Sequence, residues 1–207
     1  MKQALIIGGG SKNSQIILST LLDNDFEIVN FGASTYPHPQ VTNVKIAWDQ
    51  LDIEFVQKNF SVFNNTFDFV FFNQNGSSLS LADYRTDHDD ILEVWRRIKD
   101  WNRSHWTSCQ LPFLILHTIR KNLNAESKVG WMLSEYIDHT NPHSVDFADY
   151  SSFKYFNYLS MKSFGMMNQF QTFGIYPEFS DPDSKNKLQQ IIADIVNNKI
   201  IKDSYQF

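Results

Sequence analysis

Two tyrosine–lysine pairs in the second half of the chain have the spacing needed for proton transfer. Tyr150 precedes Lys154 by four residues in YSSFK, and Tyr158 precedes Lys162 by four residues in YLSMK. Residues four apart lie on the same face of an α-helix, so the ammonium can stabilise the phenolate of the tyrosine. A free phenol has a pKa of about 10, and a neighbouring ammonium lowers it towards the neutral range that a general acid requires. Each pair therefore predicts a proton donor for a developing alkoxide.

Three consecutive glycines near the N-terminus predict a phosphate-binding turn. Gly8, Gly9 and Gly10 follow an apolar run and precede a helical pattern. Glycine lets the backbone approach a ligand closely, and the N-terminus of the next helix offers free N–H groups to an anion. An ordinary strand-to-helix turn is the alternative, because the simple GxGxxG fingerprint is absent. The chain continues instead with Ser11, Lys12, Asn13, Ser14 and Gln15.

The hydrophobic pattern predicts the elements that would position these residues. Apolar runs predict strands at residues 4–7, 27–31, 44–48, 67–72, 129–133 and 200–207. Helical spacing predicts helices at residues 14–22, 53–60, 89–108, 153–170 and 185–197, with Pro112 ending the third pattern and loops at 138–149 and 176–183. Strands alternating with helices predict a Rossmann-type α/β fold with a doubly wound parallel sheet, in a single domain over residues 1–207.

Composition argues against several classes of protein. A formal net charge of -5 gives no general attraction to nucleic acid or to anionic membranes. No run approaches the roughly 18 consecutive apolar residues of a membrane span. The single cysteine, Cys109, excludes an internal disulfide and a cysteine-rich zinc site, and the six histidines show no paired metal spacing. We therefore predict a soluble, cytoplasmic protein without a metal site and without nucleic-acid or membrane partners.

Several segments in order resemble the short-chain dehydrogenase/reductase family. The run GGSKNSQ is similar to the family's glycine-rich cofactor loop, with Asn13 and Gln15 where the family usually has glycines. Asp49, in AWDQLD, matches the acid that contacts the adenine ring in the family. The run NQNG is similar to the NNAG motif that ends the fourth strand and supports the sheet beside the cofactor, which assigns Asn73, Asn75 and Gly76 to that role.

The resemblance continues through the predicted proton-transfer residues. WRRIKDWN is similar to the start of the family's central helix and places Asn102 where a local helix distortion supports a proton-relay water. Ser134, in WMLSE, corresponds to the serine that polarises the substrate oxygen, and YSSFK corresponds to the family's YxxxK. The resemblance thus implies catalysis by Asn102, Ser134, Tyr150 and Lys154, with Lys154 also holding the nicotinamide ribose. Tyr150 is nearer to Ser134 than Tyr158 is and is preferred, but both pairs stay open.

The resemblance implies a nicotinamide cofactor, and two local features favour NADP(H) over NAD(H). Lys12 in the glycine turn can pair with a 2′-phosphate, although a solvated surface lysine is an equal alternative. The second strand leads into Phe31, Gly32, Ala33 and Ser34, with no acid to hold a ribose 2′-hydroxyl. We expect an enzyme that interconverts a carbonyl and an alcohol on a small molecule, as a homodimer or homotetramer. The alternative is a catalytically silent dinucleotide-binding or scaffolding protein of the same fold.

Overall fold

A sheet of seven parallel strands forms the centre of the computed structural model. The structure describes residues 1–47, 51–73, 99, 101–134, 137, 148–167, 169–177, 181–199 and 204–206. In chain order the strands are β1 (Lys2–Ile7), β2 (Phe26–Gly32), β3 (Val41–Lys45), β4 (Phe69–Phe72), β5 (Lys128–Met132), β6 (Gln171–Tyr176) and β7 (Ser204–Gln206).

The strand order places a switch point next to β1. Across the sheet the order is β3-β2-β1-β4-β5-β6-β7, so the chain winds first to one side of β1 and then to the other. Ile7, at the end of β1, pairs with Phe31 of β2 and with Phe72 of β4, so these strands end at the same edge. Ligands of open α/β sheets bind outside the carboxyl ends of the strands where the order reverses. The carboxyl edge around β1 is therefore where a site is expected.

Helices cover both faces of the sheet. They are α1 (Lys12–Leu22), α2 (Ile53–Phe60), α3 (Leu111–Ile119), α4 (Ala148–Met166) and α5 (Ser184–Val196). The buried faces of α1 and α5 pack on one face of the sheet, in a core that contains Ile17, Leu18, Leu188 and Ile192. Apolar side chains of α2, α3 and α4 form the other core, with Phe60, Ile115 and Met161 among its members. The predicted doubly wound α/β fold is thus confirmed. No helix in the described ranges has the length and apolar character to cross a membrane.

Two elements differ from the sequence prediction. Pro112 does not end the helical pattern, because the helical backbone at residues 101–105 continues through a π-helical turn, Trp106–Gln110, into α3, where Pro112 lies buried in the first turn. The strand β6 was not predicted, since the helix was extended to Phe170 and the following run contains Gly174, a weak strand former. Its buried residues Phe173 and Ile175 nevertheless place it inside the sheet.

Candidate functional site

Residues predicted for the site follow the carboxyl ends of four neighbouring strands. Gly8 follows β1, Ser34 follows β2, Asn73 follows β4 and Ser134 follows β5. The pairing of β1 with β2 and β4, and of β4 with β5, brings these four strand ends to one edge. Asn73 and Ser134 are both buried, whereas Ser34 is exposed. The chain therefore gathers two groups at this edge, the glycine turn and a buried centre on α4.

The glycine turn packs so closely on β2 that side chains are excluded from it. Gly8 has a φ of 91°, which L side chains rarely adopt, and its N–H donates to the carbonyl of Phe31 over 2.7 Å. A Cβ on Gly9 would lie 1.8 Å from Oδ1 of Asn30, and a Cβ on Gly10 would lie 3.1 Å from Oγ of Ser34. The turn is therefore a backbone surface bounded by the end of β2.

Asn73 fastens the start of α1 to the end of β4. Its N–H donates to the carbonyl of Ile7 over 2.8 Å, and its side-chain amide donates to Oγ of Ser11 over 2.7 Å and, in a short contact, to Oγ of Ser14. The hydroxyl of Ser14, which is fully buried, donates in turn to the carbonyl of Gly8 over 2.8 Å. The amide of Asn73 thus acts within the protein to fix the turn.

The outer side of the turn presents polar groups that fit a pyrophosphate. Ser11 caps α1, since its Oγ accepts from the N–H of Ser14, and helix geometry leaves the N–H groups of Lys12 and Asn13 without intrahelical acceptors. Lys12 and Gln15 are exposed, and Asn13 is half-buried. Free N–H groups, a helix dipole and a cation at one backbone surface suit a dianionic ligand. The residues present therefore fit a dinucleotide cofactor.

The second group centres on the buried amine of Lys154. Its side chain is 2% exposed, and Nζ donates to the carbonyl of Met132 at the end of β5 over 2.7 Å. The same Nζ lies 5.5 Å from the centre of the Tyr150 ring, one turn earlier on α4. Ser134 is fully buried two residues beyond Met132. The structure thus brings Tyr150 and Lys154 together and ties both to the strand that leads into Ser134.

Burial governs the proton affinity of this centre. Loss of hydration lowers the pKa of Lys154 from its ordinary 10.5 to about 7, and the neighbouring Cys109 opposes that shift. Burial likewise raises the pKa of Cys109 to about 12, while the charge of Lys154 opposes it. Close to neutral pH the amine can therefore accept or release a proton, whereas the thiol remains protonated.

The structure does not bring Asn102 to this centre. Residues 101–105 are helical, and Asn102 is exposed on that helix. Its neighbours Trp101 and His105 stack with ring centres 5.3 Å apart, and both rings contact Phe153, which precedes Lys154 on α4. The face that carries Trp101 and His105 is therefore directed towards α4, and Asn102 lies beside that face. The proton-relay role of Asn102 stays a prediction.

The helix distortion that was expected at Asn102 occurs one turn later. The segment Trp106–Gln110 forms a π-helical turn, in which the N–H of Leu111 donates to the carbonyl of Trp106. This turn buries Cys109, whose Sγ lies 3.8 Å from the carbonyl oxygen of Phe153. Sequence reasoning did not assign Cys109 to the site, and only the pairing of α4 with this distant turn makes it a neighbour of Lys154.

The second tyrosine–lysine pair lies deeper along α4. Nζ of Lys162 is 5.9 Å from the centre of the Tyr158 ring, and both residues are half-buried. Tyr158 packs against the core on the α2–α4 side. Burial raises the pKa of Tyr176 to about 12, and electrostatic repulsion from the phenolate of Tyr158 acts in the same direction. Two turns of helix separate Tyr158 from Tyr150, so Tyr150 lies about 12 Å nearer the carboxyl edge.

Three predicted cofactor residues, Asp49, Asn75 and Gly76, lie outside the described residues. Within the described ranges, no three histidine, cysteine, aspartate or glutamate side chains are grouped so that they could hold a metal ion.

No protein-family model and no curated protein matches the sequence. Solved structures, in contrast, match the whole chain in fold. A short-chain dehydrogenase/reductase from Serratia marcescens aligns with a TM-score of 0.74 and 15% identity, over 100% of this chain and 95% of that one. A carbonyl reductase from Pseudomonas aeruginosa aligns with a TM-score of 0.72 and 12% identity, over 100% and 96% of the two chains.

A third structure, of BdcA in complex with NADPH, aligns with a TM-score of 0.70 and 11% identity, over 100% of this chain and 92% of that one. At such identities the likeness concerns the fold. The chain has the Rossmann-type α/β fold of the short-chain dehydrogenase/reductases.

Proposed function

We propose that the protein is a short-chain dehydrogenase/reductase that interconverts a carbonyl and an alcohol on a small molecule, with NADP(H) as the cofactor. The observation that carries the proposal is the buried amine of Lys154, held between the ring of Tyr150 and the end of β5. A buried lysine with a lowered pKa beside a phenol, at the ligand-binding edge of the sheet, is typical of a proton-transfer site.

Tyr150 acts as the general acid when a carbonyl is reduced. A bound nicotinamide would supply the hydride, and the phenol of Tyr150 would donate the proton that the resulting alkoxide needs. Burial lowers the pKa of Lys154 to about 7, so near neutral pH part of the protein already holds the ammonium, and this protonated form would stabilise the phenolate that Tyr150 leaves. Ser134, buried beyond β5, donates a hydrogen bond to the substrate oxygen and polarises the carbonyl.

The glycine turn and the end of β2 hold the dinucleotide. The N–H groups at the start of α1 bind the pyrophosphate, and Lys154 binds the nicotinamide ribose. Residues 32–40 contain no acid that would repel a 2′-phosphate, while Lys12 and Ser34 offer a cation and a hydroxyl to it. BdcA in complex with NADPH shares the fold, and this likeness supports a nicotinamide dinucleotide as the cofactor.

Separate titrations with NADPH and NADH test the proposal first. A ligand that binds only the folded protein raises its melting temperature, and nicotinamide fluorescence reports the same binding. We expect NADPH to bind more tightly than NADH and Lys12→Ala to reduce that difference. A folded sample that binds neither cofactor would disprove the proposal.

Turnover with a panel of ketones and aldehydes then separates the enzyme from a silent cofactor-binding protein. Tyr150→Phe should lower kcat at least about a hundredfold, the usual contribution of a positioned acid, without preventing NADPH binding. Tyr158→Phe is the matched control and should keep most of the activity. The exposed position of Asn102 and the irregular glycine turn favour the silent alternative, which predicts binding without turnover in every variant.

The protein is further proposed to be cytoplasmic and to associate as a homodimer or homotetramer. Exposed apolar side chains on α4 support self-association, among them Phe156 and Leu159, which are 40% and 48% exposed. The single cysteine and the formal net charge of -5 suit a cytoplasmic protein without a nucleic-acid partner.

A further inference from the structure

The connection between β2 and β3 contains no helix. Residues 33–40 lead from the carboxyl end of β2 back to the start of β3, and Ile28 pairs with Val41 while Gly32 pairs with Lys45. A crossover between parallel strands usually takes roughly a dozen residues or more, most often as a helix that packs on the sheet. The segment 33–40, called the crossover below, must therefore be held by other contacts.

One side chain of β3 makes those contacts. The amide of Asn43 accepts a hydrogen bond from the N–H of Tyr36 over 2.8 Å and donates one to the carbonyl of Tyr36 over 2.9 Å. Both backbone polar groups of Tyr36 are thus paired with one side chain, as if with a neighbouring strand. The crossover is fixed to the sheet at its midpoint by Asn43.

The same side chain connects the crossover to the glycine turn. Nδ2 of Asn30, on β2, donates to Oδ1 of Asn43 over 3.0 Å. Asn30 is 1% exposed, and its own Oδ1 points to Gly9, since a Cβ there would lie 1.8 Å away. At the start of the crossover, Oγ of Ser34 borders Gly10 in the same way, at 3.1 Å from the position of a Cβ. Asn43 therefore anchors both sides of the place where the adenosine end of a dinucleotide would bind.

We propose that Asn43 is a positioning residue that determines the discrimination between a ribose 2′-phosphate and a free 2′-hydroxyl. This inference rests on the proposed dinucleotide function and extends it to a residue that touches no cofactor atom. Ser34 is exposed and lies only two residues before Tyr36, so the bonds of Asn43 to Tyr36 set where the Ser34 hydroxyl lies. If the crossover is loosened, the N–H groups of α1 still bind the pyrophosphate. The Ser34 hydroxyl, however, is no longer held in one position, so its contact with the 2′-phosphate weakens.

Calorimetric titration of Asn43→Ala and Asn43→Asp with NADPH and with NADH tests this inference. Asn43→Ala should raise the Kd for NADPH about tenfold and that for NADH about twofold at most, which corresponds to the loss of one or two positioned hydrogen bonds at the 2′ end. Asn43→Asp keeps the acceptor and loses the donor to Tyr36, so an intermediate change is expected. Thr42→Ala is the control, because Thr42 is the exposed neighbour on β3 and makes no hydrogen bond to the described crossover.

Hydrogen exchange at the amide of Tyr36 separates positioning from general destabilisation. Asn43→Ala removes the acceptor of this N–H and should lose protection at this amide, whereas Asn43→Asp keeps the acceptor and should lose protection only in part. The amides of β1 and β4 should keep their protection in both variants, and Asn43→Asp serves alone if Asn43→Ala does not fold. An unchanged NADPH-to-NADH ratio of Kd values, with Tyr36 deprotected, would overturn the inference and leave the proposed function standing. A wild-type protein that binds neither cofactor would remove both.

Discussion

At the scale of single residues, Lys154 connects the proposed chemistry with stability. An ammonium in this position has lost almost all its hydration, and its Nζ donates to the carbonyl of Met132 over 2.7 Å. The folded protein therefore favours the neutral amine, and the pKa of Lys154 falls to about 7. A general acid benefits from a nearby ammonium, and near neutral pH the protonated fraction of Lys154 would stabilise the phenolate of Tyr150.

The difference between the pKa of Lys154 in the folded and in the unfolded chain predicts that the free energy of unfolding rises between pH 7 and pH 9. The unfolded chain holds a proton on Lys154 up to its ordinary pKa of 10.5, whereas the folded protein releases it near a pKa of about 7, so raising the pH over this window favours folding. Above pH 9 the raised pKa of Cys109 acts in the opposite direction, because only the unfolded thiol loses its proton there. The slope is at most about 1.4 kcal/mol per pH unit.

Urea unfolding at pH 7, 8 and 9 measures this effect. Lys154→Met removes this titrating group and should markedly reduce the rise, leaving the part due to Lys128, whose pKa burial also lowers, while Lys162→Met, on the same helix, should retain the whole rise. A wild-type free energy of unfolding that stays constant over the window would contradict the buried position of the amine.

The residue spacing predicted part of this site and missed the rest for a physical reason. Tyr150 and Lys154 lie one turn apart on a single helix, so their contact follows from the sequence. Cys109 approaches the lysine, and Asn43 approaches the crossover, only through the packing of segments distant in sequence. Such contacts depend on the register between elements, which local spacing does not determine.

At the scale of elements, the predicted pattern holds where an apolar run is continuous and fails where it is interrupted. The buried run of β4 and the amphipathic helix α2 were predicted closely. The strand β6 follows α4 almost directly and contains Gly174, and Pro112 lies where a π-helical turn allows the helix to continue. Both exceptions arise from tertiary packing that compensates for an unfavourable local sequence.

The attachment of α1 to β4 is a contact between elements that can be tested separately. Asn73→Ala removes the two hydrogen bonds that the side-chain amide donates to the hydroxyls of Ser11 and Ser14. The buried hydroxyl of Ser14 then has fewer hydrogen-bond partners. We expect a loss of about 1–3 kcal/mol in the free energy of unfolding, together with weaker NADPH binding, because the glycine turn loses its anchor.

Chemical denaturation and the NADPH titration measure the two effects on one sample. Asn59→Ala is the matched control, since the amide of Asn59 donates a hydrogen bond to the carbonyl of Phe55 within the same helix, α2. The Asn59→Ala substitution should lower the free energy of unfolding by no more than about 0.5 kcal/mol. Equal losses in the two variants would show that Asn73 is an ordinary polar residue and does not anchor the turn.

At the scale of the whole molecule, large apolar side chains on α3 and α4 are exposed to solvent and are not part of the core. Tyr155, Phe156 and Leu159 on α4 are 38%, 40% and 48% exposed, and Phe113 on α3 is 50% exposed beside Phe164. Their aromatic and aliphatic side chains form a surface that water solvates poorly and that protein partners commonly cover. A second copy of the chain, related by a two-fold axis, would bury α4 against its own counterpart.

Light scattering after size-exclusion chromatography tests that arrangement. The wild type should have at least twice the 24.2 kDa mass of one chain, and Leu159→Glu should yield the monomer. Val62→Glu, at an apolar side chain that is 62% exposed and follows α2, is the control and should leave the mass unchanged. A wild type of monomeric mass, or a Leu159→Glu protein that keeps the assembly, would exclude α4 as the interface. The expected effect is strong because a two-fold axis places the introduced glutamate of each copy in the same interface. Association would then desolvate two like charges close to each other, which opposes dimer formation.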